Sequence, residues 1–502
     1  MRNTALSGFV FVFALACGGT KSTTDEPSHA GSSGAGNAAA PPGEGGRDGN
    51  SGAPGLVTAG APSAPSLDAA GTAGAGAERG GTGAGGASNE AAGRGGTSEQ
   101  ASTGGAAGAF GGTAGARLGE GGISAGRAGT AGRAGATNAG AAGMVAGAAG
   151  SGSVTASAGP PETKPLGYGR NATGGGSKTP VNVASMTELQ AAIDAYSGSG
   201  GLVLNYTGSF DFGAISDPCA QWQKDAQIVE LKQKSDITLV GADGSGANFG
   251  LHIASSSSNI IVRDMRFGLL PGGDASDAIS IEGMSSGVPT DIWIDHNELW
   301  SSLADCAGAG DSSFDGLIDL KKGADRVTIS YNYLHDHHKV SLNGFSDSDD
   351  VVRHVTFHHN VFDNVSSRTP LQRNGFSHLL NNYIGRVATS AVNVRMGGYS
   401  LVEGNYFEQV QNAVTSRDSS ELGYWELRDN NVKSPADFAT FGLTWVASDS
   451  TPTKDATDWV TTATFPESLG YTYTADPAAC LTKANLLKAA GAGKGLATLV
   501  CH

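Results

Sequence analysis

The 502-residue sequence predicts an all-β protein, a right-handed parallel β-helix over residues 165–502 with an N-terminal cap helix, preceded by a long disordered Gly/Ala/Ser-rich stalk. Three observations carry this reading. Glycine crowds the first 164 positions, short β-branched runs ending in Asn recur from about residue 235 onward, and a helix-capping signature stands at Ser185, ahead of those runs.

Met1-Arg2 and the apolar run from Ala5 to Ala16 have the charge and length of a secretory signal peptide and are too short to cross a bilayer as a helix. The run ends in Ala14-Leu15-Ala16-Cys17-Gly18, which resembles a bacterial lipoprotein cleavage box. Residues 1–17 are therefore expected to direct export, with Cys17 as a lipid anchor on the cell surface or outer membrane. The alternative is ordinary cleavage and release. Residues 18–164 form the linker. Of the 78 glycines, 43 lie within residues 1–164, and Phe110 is the only aromatic residue between the leader and Tyr168. Such a segment buries too little to offset the entropy of ordering its backbone. It acts as a tether that carries the folded part away from an anchor.

Residues 165–502 hold all six Trp and a net charge of −14 out of the −15 of the whole chain. That balance argues against nucleic acid, whose phosphates call for a basic face. It also disfavours a polyanionic substrate unless a metal cation intervenes. With Cys17 set aside, four cysteines remain, and an exported compartment permits disulfides. Three connectivities are possible. The expected pairing is Cys219–Cys306 with Cys480–Cys501, because the second pair is local in sequence.

The cap helix opens at Ser185-Met-Thr-Glu188-Leu-Gln190, two overlapping capping boxes ahead of an amphipathic run through Leu189, Ile193 and Tyr196. The repeat follows. Asn297, Asn332, Asn360, Asn382, Asn405 and Asn430 each close a short apolar run, and Met265 takes the Asn place in an earlier copy. Successive intervals of 32, 35, 28, 22, 23 and 25 residues are too irregular for leucine-rich or propeller repeats. They fit solenoid coils that grow or shrink by loop insertion. Parallel stacking buries both faces of each run, and Asn at a fixed phase predicts an internal ladder of amide hydrogen bonds.

Phase arithmetic then names neighbours. Lys339 lies seven residues after Asn332 and Arg368 eight after Asn360, so the two should meet on adjacent coils, about 4.8 Å apart. Each cation makes the other's proton easier to lose, and both need a nearby anion. Arg373 stands five residues further on. Asp277, Asp315 and Asp319 come one or two coils earlier. In a strand the last two share a face but lie about 13 Å apart when extended, so a bend at Gly316, or more than one ion, is required for both to bind metal. Hard oxygen donors without thiolates suit Ca²⁺ rather than Zn²⁺. For any single aspartate the plainer reading is a turn residue. The run His335-Asp-His337-His338 lacks partners at zinc spacing and reads as structural histidines in a polar turn.

Three segments, Trp293-Ile-Asp-His296, Asp315 through Lys339, and Ser367-Arg-Thr-Pro-Leu-Gln-Arg373, resemble the pectate lyases of polysaccharide lyase family 1 over about residues 165–445. The resemblance implies a pectate lyase-like solenoid that cleaves α-1,4-polygalacturonate by Ca²⁺-dependent β-elimination, releasing 4,5-unsaturated oligogalacturonides. By motif position, Asp277, Asp315 and Asp319 correspond to calcium ligands, Lys339 and Arg373 to binders of substrate carboxylates, and Arg368 to the base, with Lys339 beside it in the catalytic pair. Two departures stand out: Ala275, where some members carry a further acid, with Asp274 beside it, and Leu371-Gln372, where Arg-Val is commoner. The expected partner is pectin polysaccharide, the expected state a monomer. Competing readings are a metal-free pectin lyase on methyl-esterified pectin, a hydrolytic polygalacturonase using close carboxylates, and a non-catalytic polysaccharide-binding surface solenoid.

Overall fold

The structure is a computed structural model that describes residues 154–309 and 313–502. The signal peptide, Cys17 and the linker up to residue 153 lie outside the described residues. Successive coils each give one strand to three parallel sheets of ten, six and nine strands, in which all pairings but one at the C-terminal edge are parallel. One coil runs through Thr290–Asp295, Glu298–Trp300 and Ile318–Lys321; the next runs through Asp325–Ser330, Tyr333–Lys339 and Ser341–Asn343. In-register pairs such as Ile292↔Val327 and Leu299↔Leu334 stack like on like, which places fully buried aliphatic and aromatic side chains in one continuous core.

The corner between the ten- and six-stranded sheets repeats one conformation. The residue before each ladder position is left-handed: Asp264, His296, Tyr331, His359 and Asn381 have φ between 53° and 56°, except Tyr331 at 49°. The ladder residue itself then points inward. Asn297, Asn332, Asn360, Asn382 and Asn405 each donate from the backbone N–H and the side-chain amide to the Oδ1 of the next Asn, at 2.9–3.2 Å, ending on Asn430. Met265 accepts its place by donating only its backbone N–H, to Asn297 Oδ1 at 3.0 Å. These amides are fully buried, so each unmade bond would cost about 1–3 kcal/mol, which keeps the coils in register.

The helix Met186–Ala195 closes the N-terminal end, with Leu189 and Ile193 buried in the core. Ser185 Oγ accepts the Glu188 N–H at 3.2 Å, while the Glu188 carboxylate accepts from Ala184 N rather than from Ser185. Both disulfides form as paired above, Cys219–Cys306 and Cys480–Cys501. The first ties the loop after Trp300 to the short helix Pro218–Trp222, closing an 87-residue separation.

One boundary needs correction. The linker assigned to 18–164 ends earlier, because Ala156–Pro161 forms an antiparallel strand with Ala497–Cys501. Its sequence lacks an apolar alternation; its backbone groups are satisfied by the other end of the chain. Among the described residues, no helix is long and apolar enough to cross a membrane.

A pH dependence is built into the N-terminal coils. His252 Nδ1 lies 3.0 Å from Glu230 and its Nε2 3.4 Å from Glu282. Burial opposes the imidazolium, but the two carboxylates outweigh it and push the pKa up to about 9. A raised folded-state value stabilises fully below about pH 6.5 and is lost as pH rises through about 9. His252→Gln should remove on the order of 1–3 kcal/mol at pH 7 and flatten the fall in melting temperature between pH 7 and 10. An unchanged slope in thermal scans across that range would refute the assignment.

Candidate active site

The three predicted aspartates arrive from two successive coils. Asp277 ends the loop that leads into Ile279–Glu282, Asp315 ends the longer loop that leads into Ile318–Lys321, and Asp319 lies in that strand. One carboxylate oxygen of each lies within 4.8 Å of the others, far closer than an extended strand would bring Asp315 and Asp319. Asp315 and Gly316 lie ahead of the strand that carries Asp319, with a backbone bend at Leu317. The Gly316 N–H donates to Asp277 Oδ1 at 3.0 Å, and a Cβ on Gly316 would stand 2.2 Å from Asp319 Oδ1. Glycine lets the chain fold over the Asp319 carboxylate. Gly316→Ala should therefore displace Asp319 and raise the calcium concentration for half-maximal activity about 10–100-fold. A calcium titration identical to the parent's would contradict this.

The trio is electrostatically unsettled. Asp277 and Asp319 are almost wholly buried. Burial, then the neighbouring carboxylates, push Asp319 well above the usual carboxyl range, and Asp277 is raised mainly by burial against the pull of Lys321. Asp319 Oδ1 accepts the Leu342 N–H at 3.2 Å, whereas Oδ2 is buried without a hydrogen-bond partner. Three clustered carboxylates, one with an oxygen that lacks a hydrogen bond and has only the Lys321 ammonium at 3.6 Å, are a hard-oxygen donor set, so the residues present fit Ca²⁺.

Of the predicted cations, Lys339 reaches the trio directly. Lys339 Nζ lies 3.3 Å from Asp315 Oδ1 and 3.6 Å from Asp274 Oδ1, so Asp274 faces the site without joining the trio. Lys339 pairs in register with Ser367, which sets Arg368 one residue beyond it rather than directly opposite, as the seven- and eight-residue offsets require. Arg368 acts electrostatically on Asp319 and takes a left-handed φ of 67° at the corner after Val361–Ser367. Left-handed non-glycine residues recur at the corners of the coils, so this φ marks a turn of the solenoid. Arg373 lies in the neighbouring nine-stranded sheet. Its guanidinium donates to Asp347 Oδ1 and Gly344 O, both at 2.9 Å, which hold it nearly buried in the wall.

Three basic residues escaped the sequence reading. Lys321 Nζ lies 2.5 Å from Asp277 Oδ2 and 3.6 Å from Asp319 Oδ2. Strand alternation from Asp319 places it on that face. Burial works against its charge, but the three aspartates raise its pKa. Arg395 pairs in register with Arg373, and Arg417 follows two residues after Thr415, which pairs with Asn393. The 22-residue coil length carries this arginine column. Burial, then Arg373, lower the Arg395 pKa to about 9.

The histidine run is structural. His335 pairs with Asp336 at 2.7 Å and stacks on Tyr333, and His338 Nδ1 meets Ser366 Oγ at 2.9 Å. Buried His337 bridges Ser301 Oγ at 2.5 Å and the Lys339 carbonyl at 3.0 Å, and burial pushes its pKa down to about 3. It fixes the backbone that presents Lys339.

A family model described as pectate lyase matches residues 123–495. Pectate lyase 3 of Pectobacterium carotovorum subsp. carotovorum is 46% identical over 306 residues, covering 59% of this chain and 79% of its own. The solved structure of pectate lyase II from Xanthomonas campestris pv. campestris is 56% identical, with a TM-score of 0.64, covering 66% of this chain and 100% of that one. Pectate lyase C from Erwinia chrysanthemi, solved with Ca²⁺, is 39% identical with a TM-score of 0.63, covering 68% of this chain and 99% of its own. A variant of that lyase has been solved with pentagalacturonic acid.

Proposed function

The chain belongs to the pectate lyase family, and from that premise we propose that it cleaves α-1,4-polygalacturonate by Ca²⁺-dependent β-elimination, with Arg368 as base. The observation that carries this reading is the trio Asp277, Asp315 and Asp319, gathered within 4.8 Å beside Lys339.

The chemical difficulty is charge. Removing the C5 proton next to a carboxylate builds a second negative charge on a group that is already an anion, and expulsion of the C4 oxygen follows. Asp277, Asp315 and Asp319 would hold Ca²⁺, which supplies positive charge to the substrate carboxylate and turns an acidic wall into a receptor for a polyanion. Lys339 and Arg373 bind the same uronate, aligning the C5 hydrogen with Arg368. Lys321 orients Asp277 and Asp319. Arg395 and Arg417 extend the cationic wall along the axis, where further uronates of one chain would lie.

Purified protein incubated with polygalacturonate should produce unsaturated ends, read by ultraviolet absorbance, only when calcium is present. Equal activity in chelator, or activity confined to methyl-esterified pectin, would favour the pectin lyase reading. Binding without cleavage would favour the surface solenoid, and reducing ends without unsaturation would favour hydrolysis. The two disulfides suit an oxidising compartment, which supports export. The leader and the Cys17 box support reading the enzyme as exported and tethered by lipid through the linker, and we take it to act as a monomer.

A further inference from the structure

The strand Ser341–Asn343 runs into a polar loop, Gly344-Phe-Ser-Asp347-Ser-Asp349-Asp350, that belongs to none of the motifs above. Two of its acids meet two different arginines, and the second of those arginines belongs to the site.

Asp349 secures the loop itself. Its Oδ1 accepts Arg353 Nη2 at 2.6 Å, and its Oδ2 accepts the backbone N–H groups of Lys322 and Phe345 at 2.9 and 3.1 Å. Arg353 is fully buried, and its Nη1 donates to Arg373 O at 2.9 Å. A Cβ on Gly344 would stand 2.6 Å from that Nη1 and 2.9 Å from Arg373 Cβ, so glycine is what lets the loop lie this close. The loop and the Arg373 main chain are thus pinned by one buried cation.

Asp347 acts on the side chain instead. Its Oδ1 accepts Arg373 Nε, and Gly344 O accepts Arg373 Nη1, both at 2.9 Å. Two of the five guanidinium hydrogens are committed in this way among the described residues, which fixes the plane of the group and leaves three for a substrate carboxylate. The other oxygen of Asp347, Oδ2, accepts the Ser420 N–H at 2.9 Å and its hydroxyl at 3.3 Å, across 73 residues of chain. Ser420 lies in the loop after Val414–Ser416, and the same loop brings Asp418 within 3.4 Å of Arg395.

Ser341–Asn343, Leu371–Arg373, Val392–Arg395 and Val414–Ser416 are consecutive neighbours in the nine-stranded sheet. One carboxylate therefore links loops that are about 14 Å apart along the solenoid, three strand spacings, with Arg373 and Arg395 on the rungs between. Burial works against its charge, but the Ser420 N–H and Arg373, with Arg395 beyond, outweigh it and hold the Asp347 carboxyl below its ordinary range.

We propose that Asp347 is a positioning residue for the lyase reaction, holding the Arg373 guanidinium in one orientation toward the substrate carboxylate while tying down the loop that flanks Arg395. The proposal rests on the reading of Arg373 as a uronate binder. Without Asp347 the main chain stays anchored through Arg353 and Asp349, and the guanidinium keeps only its bond to Gly344 O. It is then free to turn away from the uronate, and a misplacement of about 1 Å in an orienting group can cost about 10²-fold in rate.

The test is steady-state release of unsaturated product from polygalacturonate in saturating Ca²⁺. It compares the parent, Asp347→Ala, Asp347→Glu, Arg373→Ala and the Asp347→Ala/Arg373→Ala double variant. Asp347→Ala should lower kcat/KM about 10-fold or more, with a melting temperature close to the parent's. Asp347→Glu, which keeps the carboxylate, should recover part of that loss. In the Arg373→Ala background the removal of Asp347 should cost less than about 2-fold, because the carboxylate then has no guanidinium to hold. Losses that add in the double variant, or a parental kcat/KM in Asp347→Ala, would overturn the positioning role while leaving the lyase reading intact. A parent that releases no unsaturated product would overturn the lyase reading and this role with it. If Asp347→Ala does not fold, Asp347→Asn takes its place in the cycle and the same outcomes decide.

Discussion

Arg368→Ala should lower turnover of polygalacturonate by about 10³-fold or more, while calcium-dependent retention on the polymer persists. The reason lies in the division of labour on the wall. Binding charge is distributed over Lys339, Arg373 and the acid trio, whereas Arg368 stands at a left-handed corner and acts electrostatically on Asp319. Alanine there removes the proton acceptor and leaves the carboxylate receptor standing. A free guanidinium gives up its proton only above about pH 12, so a guanidine base needs the cationic crowding of its neighbours and a high working pH. The parent's rate should accordingly climb to an optimum near or above pH 8. A curve peaking near pH 5, or near-normal turnover in the alanine variant, would remove Arg368 from this role.

What the sequence made legible follows from repetition. Stacked coils convert a chain interval into a spatial neighbour, so the Asn phase located Lys339 beside the coil of Arg368 and placed the acids one or two rungs earlier. The ladder could be read because a buried amide needs a partner and its copies supply one. The same arithmetic, continued past Arg373 in steps of 22, reaches Arg395 and Arg417, and alternation from Asp319 reaches Lys321. These signals were present but carried no motif. The terminal strap is different in kind. Ser157 and His502 are 345 residues apart in sequence and 2.8 Å apart between side chains, and Val154-Thr-Ala-Ser-Ala-Gly shows neither alternation nor bulk. Its strand exists because the C-terminal strand offers an edge, which local sequence does not encode.

Replacing Asp319 should produce effects of opposite sign with and without calcium. Asp319→Asn keeps the shape and the Oδ1 acceptor for Leu342 N–H, and removes one of three crowded negative charges. Without a cation those charges oppose folding. Burial and the other two acids raise the folded-state pKa of Asp319, so the calcium-free parent loses stability as pH rises out of the ordinary carboxyl range. In chelator at neutral pH the Asn variant should therefore melt above the parent. With calcium added the order should invert, because the parent gains binding free energy that the variant has largely lost. The same loss should raise the calcium needed for half-maximal cleavage by about 10–100-fold or more, since losing an outer-shell partner alone costs that much. Thermal melts in chelator and in calcium, paired with a calcium titration of unsaturated product, test both arms. If the variant melts below the parent in chelator and keeps the parent's calcium requirement, Asp319 is a packing residue and the ion is held elsewhere.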